Sequence, residues 1–183
     1  MPAPPAEKKS ILNNAKPKPF DLKSIKKENH MSFKSMDEIL AYAIEKEEEA
    51  VAFYTDLSEK QGFASVKETF KNFANEEKKH AKMLKELSQD PSKVETYEIK
   101  NIPDLKISDY MVEIEYSEGM MLPDILRLAM KREEQAVKLY RDLSEKSPTP
   151  ELKKIFQILV QEESKHKLVL ESMYDDFLAD HES

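Results

Sequence analysis

Residues 70–84 read FKNFANEEKKHAKML, and residues 156–170 read FQILVQEESKHKLVL. The second stretch is the first displaced by 86 positions: Phe70 falls on Phe156, Glu76-Glu77 on Glu162-Glu163, His80 on His166 and Leu84 on Leu170. In each, the apolar residues recur at steps of three and four, the period of one helix face. Phe70, Phe73, Leu84 and Leu87 mark that face in the first stretch; Phe156, Leu159, Leu170 and Met173 mark it in the second. Between them, on the same face, stand Glu77 with His80 and Glu163 with His166. A carboxylate and an imidazole thus occupy core positions, twice.

The repeat continues upstream without a gap. Glu47-Glu48 falls on Glu133-Glu134, Ala50-Val51 on Ala136-Val137, Tyr54 on Tyr140, and Asp56-Leu57-Ser58-Glu59-Lys60 recurs at 142–146. Matching aromatics and histidines exclude a coincidence of Glu/Lys background, and fusion of one helical hairpin with its copy explains them. The inward stripe upstream reads Leu40, Ile44, Glu47, Val51, Tyr54 in one copy and Leu126, Met130 (or Ala129), Glu133, Val137, Tyr140 in the other. Each of four helices therefore aims one glutamate at the core.

Composition agrees. Of 183 residues, 36% are charged and only two are glycine, which favours long helices over sheets or Gly-rich nucleotide loops. That length supports one domain with a sizeable core. No run approaches the roughly 18 apolar residues of a membrane span. Cysteine is absent. Disulfides, thiolate catalysis and Cys-ligated metals are excluded, so any metal must be held by carboxylates and imidazoles.

Helix boundaries follow from capping chemistry. Ser35-Met36-Asp37-Glu38 is a capping box opening a helix over about 36–61, with Gly62 as a left-handed stop. Ser65-Val66-Lys67-Glu68 is a second box, opening a helix over about 65–88. Pro123 at a first helical position starts a third, about 123–146, and Thr149-Pro150-Glu151 starts a fourth, about 150–179. Turns of a few residues make each pair an antiparallel hairpin. The connection over about 89–122 is long enough to cross a bundle of ~35 Å and start the third helix from the far end. Its Val94–Lys100 segment alternates weakly, like a strand. The expected architecture is all-α: a four-helix bundle of two repeated hairpins joined by a long crossover.

Residues 1–34 differ from the rest. They carry eight Lys against three acids and five of the ten prolines, whereas residues 35–183 carry 21 Lys+Arg against 33 Asp+Glu. The first segment reads as a disordered leader, and 35–183 as the domain. Either the leader is a dangling tail, with Met31 as an alternative start, or it docks through Ile11, Leu12, Phe20, Leu22 and Ile25. The acidic domain disfavours nucleic-acid binding. No apolar stretch follows Met1-Pro2-Ala3-Pro4-Pro5, so no secretory signal is expected and the protein reads as cytoplasmic.

The heights of the inward residues also agree. Glu47 lies 15 residues before Gly62 and Glu77 lies 15 after it, so a hairpin puts both about 22 Å from its turn. Glu133 and Glu163 stand in the same relation to Pro148. Four buried carboxylates at one level would be forced to protonate unless compensated. Two divalent cations balance four glutamates, with one neutral histidine for each ion. Carboxylate-bridged di-metal bundles use this set: a Glu from each of two helices and Glu-x-x-His from each of the other two. A lone Glu-x-x-His is ordinarily a solvated helix face; the paired, core-facing set is not. Glu48, Glu134, Glu76 and Glu162 lie one step off the stripe and read as surface or supporting residues. The methionines read as packing, and His30 and His181 as terminal residues without a role.

On Glu47 with Ala50 and Tyr54, Glu77-Lys78-Lys79-His80, Glu133 with Ala136 and Tyr140, and Glu163-Ser164-Lys165-His166, the chain resembles the ferritin-like di-iron proteins, and among them the rubrerythrins, over about residues 36–179. The resemblance implies a ferritin-like bundle with two iron ions, Glu77 and Glu163 bridging, Glu47 and Glu133 terminal, and His80 and His166 on one ion each. Tyr54 and Tyr140 would hydrogen-bond ligand carboxylates; as plain core tyrosines they would need only a satisfied hydroxyl. Rubrerythrins carry a further Glu where this chain has Ala136, which puts their redox-linked iron movement in doubt here. They also carry a Cys-ligated rubredoxin domain, so electrons would come here from a separate donor protein. The implied function is a di-iron oxidoreductase reducing hydrogen peroxide or dioxygen, as a homodimer. Iron oxidation and handling, or a metal-dependent sensor or adaptor bundle, are the alternatives. Manganese suits the same ligands as iron.

Overall fold

The computed structural model describes residues 35–90, 116, 117 and 119–181. The leader, the Val94–Lys100 segment and most of the crossover lie outside them. Four helices hold most of the described residues: α1 Met36–Lys60, α2 Ala64–Gln89, α3 Leu122–Lys146 and α4 Pro150–His181. At ~1.5 Å per residue, the 25 residues of α1 span about 37 Å. No helix among the described residues is long and apolar enough to cross a membrane.

Two of the expected caps are present. Ser35 Oγ accepts from the Glu38 amide at 3.2 Å, and Thr149 Oγ1 accepts from the Leu152 amide at 3.3 Å. The other boundaries differ. α2 begins one residue early on Phe63, with no side-chain cap, so Ser65 lies inside the first turn instead of preceding it. α3 begins at Leu122, which places Pro123 second; its missing amide is one of the unsatisfied four there as well. Gly62 is not left-handed; Gly119 is the glycine at positive φ. α1 instead ends on extended Gln61 (ψ 134°), as α3 ends on extended Ser147 (ψ 126°). Pro148 explains the second. It forces the residue before it out of the helical region and fixes its own φ near −65°. Gly62 is its counterpart in the repeat and turns the chain without a left-handed residue.

Two apolar clusters fill the bundle. One joins Tyr54, Val66 and Phe70 of the first hairpin to Leu126, Met130 and Leu170 of the second. The other joins Leu40, Leu84 and Leu87 to Tyr140, Phe156 and Leu159. The turn end of each hairpin thus packs on the open end of the other, so α3 starts at the end of the bundle opposite to where α2 stops. The inward face of α1 is tighter than its large residues foretold: Ala43 and Ala50 are buried, while Ile44 and Val51 are only half-buried. Small residues let neighbouring helices approach closely, and large ones sit at the flanks. Phe70 and Phe156 are fully buried repeat counterparts. Truncating Phe156 to Ala should cost about 3–5 kcal/mol in chemical denaturation, a cavity effect.

Candidate metal centre

Between the two apolar clusters lies a polar layer. Glu47, Glu77, Glu133 and Glu163 are each no more than 2% exposed, and His80 and His166 are buried beside them. The structure brings all six predicted residues together, in two groups. Glu47 and His80 form one with Glu77 and Glu163; Glu133 and His166 form the other with the same Glu77 and Glu163. The ligand atoms of each group lie within 4.8 Å of one another. Glu77 and Glu163 are common to both.

Both imidazoles turn Nδ1 inward. His80 Nδ1 stands 3.0 Å from Glu77, 3.3 Å from Glu47 and 3.3 Å from Glu163. His166 Nδ1 stands 3.2 Å from Glu77, 3.3 Å from Glu163 and 3.9 Å from Glu133. Yet Glu47 Oε2, Glu77 Oε1, Glu163 Oε1 and His166 Nδ1 are buried without an aligned hydrogen-bond partner. Buried polar atoms normally have one. Converging oxygen and nitrogen donors left in that state fit a pair of cations, which satisfies them all.

Tyr54 and Tyr140 hold the layer from either side, across the hairpins. The Tyr54 hydroxyl on α1 donates to Glu133 on α3, and the Tyr140 hydroxyl on α3 donates to Glu47 on α1. Each ring is stacked on a phenylalanine of its own hairpin, Tyr54 on Phe70 at 5.9 Å and Tyr140 on Phe156 at 6.0 Å. Burial and the facing carboxylates push both phenols well above their ordinary range, so they remain neutral donors.

The off-stripe glutamates divide. Glu48 pairs with Lys85 at 2.6 Å and Glu134 with Lys131 at 2.8 Å, away from the cluster. Glu76 instead reaches across to the other hairpin and meets His166 Nε2 at 2.7 Å. Sequence periodicity leaves Glu76 between surface and support because it describes one helix, not its neighbour. Arg132 was not foreseen at all. It is buried and lies 5.0 Å over the Phe53 ring. Its counterpart in the repeat is Lys46, and that repeated basic position beside Glu133 and Glu47 was the available signal. Lys46 and Arg132 both line a cavity of about 60 Å³ with Glu47, Glu133, Ala50 and Ala136.

This bundle, with its layer of carboxylates and imidazoles, is of the ferritin-like class. The rubrerythrin family model matches residues 38–118 and 124–183, and the chain belongs to that family. A hypothetical protein from Pyrococcus furiosus is 31% identical, with a TM-score of 0.59, over 80% of this chain and 92% of its own. A protein from Thermotoga maritima, described as a candidate ferritin-like di-iron carboxylate protein, is 24% identical with a TM-score of 0.60, over 80% and 98% respectively. A protein from Magnetospirillum magnetotacticum is 23% identical with a TM-score of 0.58, over 78% and 95%. No curated protein matches. Family and buried cluster together fit a di-metal protein.

Proposed function

We propose that this protein is a di-iron oxidoreductase that reduces hydrogen peroxide or dioxygen with electrons from a separate donor protein. The observation carrying this reading is the sharing of Glu77 and Glu163 between two otherwise separate ligand groups. Glu77 and Glu163 would bridge, Glu47 with His80 would complete one position, and Glu133 with His166 the other. Two iron ions held by these residues would supply one electron each, so that hydrogen peroxide, two electrons and two protons would give two waters.

The chain's own residues prepare that chemistry. Tyr54 and Tyr140 fix the orientation of Glu133 and Glu47. The apolar clusters on either side exclude bulk water along the bundle axis. The cavity supports access from the side of α1 and α3, where Ala50 and Ala136 leave room for a few water-sized molecules. Both imidazoles stand on α2 and α4, so that side is free of them.

Anaerobic reduction of the iron-loaded protein, followed by one equivalent of peroxide, tests the proposal. A change in optical spectrum with two irons oxidised per peroxide is expected. An unchanged spectrum with stoichiometric iron bound overturns it, and, when excess Fe(II) and peroxide are then supplied, oxidation of many Fe(II) per chain transfers the protein to iron handling.

A further inference from the structure

The 86-residue repeat makes every departure from two-fold symmetry informative, and the surroundings of the two histidines depart from it. His166 is held on its outer side by Glu76, 2.7 Å from Nε2, and its ring stacks on Phe73 at 4.3 Å between centroids. The matching residues of the other half are Glu162 and Leu159. Glu162 accepts instead from Lys165 at 2.6 Å, on its own helix, and leucine offers no ring to stack on. Among the described residues, the carboxylates within 4 Å of the His80 ring all face its Nδ1.

An imidazole that offers Nδ1 to a metal must carry its proton on Nε2. A carboxylate accepting that proton fixes the tautomer and ring orientation and makes the ligand more basic; loss of such a partner typically weakens metal binding by about 10–100-fold. Resting on the di-metal reading above, we propose that the two metal positions are inequivalent. The position of Glu133 and His166 binds a divalent ion more tightly and fills first, with Glu76 as its positioning residue. The position of Glu47 and His80 fills second and exchanges its ion more readily. One chain can then hold two different metals in a defined order.

Titrating the metal-free full-length chain with Co(II), followed by its visible absorption, tests this. Two steps are expected, separated by about tenfold or more in affinity. Glu76→Ala should weaken the first step by about 10–100-fold, whereas Glu162→Ala leaves it in place. Glu76→Gln, which keeps an acceptor for the Nε2 proton, should retain part of the difference. The Glu76 side chain is 44% exposed, so these variants keep the core intact, as far-UV circular dichroism would verify. Two equal steps in the parent chain, or a first step indifferent to Glu76→Ala, overturn the inference and leave the metal centre standing. Failure to take up Co(II) at all removes both.

Discussion

Replacing Glu77 with Ala is expected to empty both metal positions at once, whereas replacing Glu47 with Ala empties only one. The difference follows from membership: Glu77 belongs to both ligand groups and Glu47 to one. Two divalent ions need four negative charges, and Glu77→Ala leaves three in a layer where each carboxylate is at most 2% exposed. An unbalanced charge at that depth has little water to solvate it, and the second ion is expelled. With one bridge gone, the first ion also loses an oxygen and the geometric constraint on Glu163. Affinity for both should fall by at least about 100-fold, the upper end of what even indirect support of a ligand provides. Elemental analysis after gel filtration should give two ions per parent chain, none for Glu77→Ala or Glu163→Ala, and one for Glu47→Ala. Peroxide-dependent oxidation should vanish with the ions. Two ions retained by Glu77→Ala would remove the assignment of that residue, and with it the balance on which the di-metal reading depends.

Why so much of this centre was legible in the sequence comes down to two regularities. The helical period names the residues that face inward, and the repeat lets each half check the other. Glu47, Glu77, Glu133 and Glu163 could be set at one level because hairpin geometry converts sequence distance from the turn into height. The same regularities explain what stayed hidden. Ala43 and Ala50 line the core of α1 although Ile44 and Val51 carry the stronger apolar signal, because helix approach rewards small residues. Glu76 acts on a histidine of the other hairpin, 90 residues away in sequence, and no single-helix pattern reports such a contact. A glycine after a helix suggests a left-handed stop, but Gly62 is not one, in keeping with its repeat counterpart Pro148, a residue that cannot adopt that conformation. The burial of Arg132 likewise depends on a neighbour, the Phe53 ring, which the stripe of α3 does not reveal.

Metal loading should release close to four protons per chain near neutral pH, and should abolish a loss of stability that the metal-free protein suffers as pH rises. Burial and then the Glu163 charge push the carboxyl of Glu47 well above its ordinary 4.5, and the same two causes act on Glu133, so both favour the protonated form. Burial opposes ionisation of Glu77 and Glu163 too, but His80 and His166 beside them bring both below that value. Burial likewise opposes charging of the imidazoles, and their carboxylate neighbours prevail, raising both above the ordinary 6.5. These directions favour, in the metal-free layer, two imidazoliums balanced by two carboxylates, neutral as a whole. Two divalent ions bound to four carboxylates and two neutral imidazoles are neutral again, and four protons must leave in the exchange. Calorimetric titration in buffers of different ionisation enthalpy counts them; a count near zero would show that the layer was never protonated. The stability signs follow from the same directions. Contributions from His80 and His166 are complete below pH 6.5 and are lost as pH rises through their raised folded values. Glu47 and Glu133 act in the same direction from 4.5 upward, whereas Glu77 and Glu163 lose their contribution only as pH falls below 4.5. Each such proton is worth about 1.4 kcal/mol per pH unit, and each kcal/mol moves Tm by about 2–4 °C in a chain of this size. The metal-free Tm should accordingly fall by roughly 5 °C or more between about pH 6.5 and 8.5. The loaded protein has already given up those protons, so its Tm should stay level over the same range, and the gap between the two curves is the part of folding stability that the cations take over.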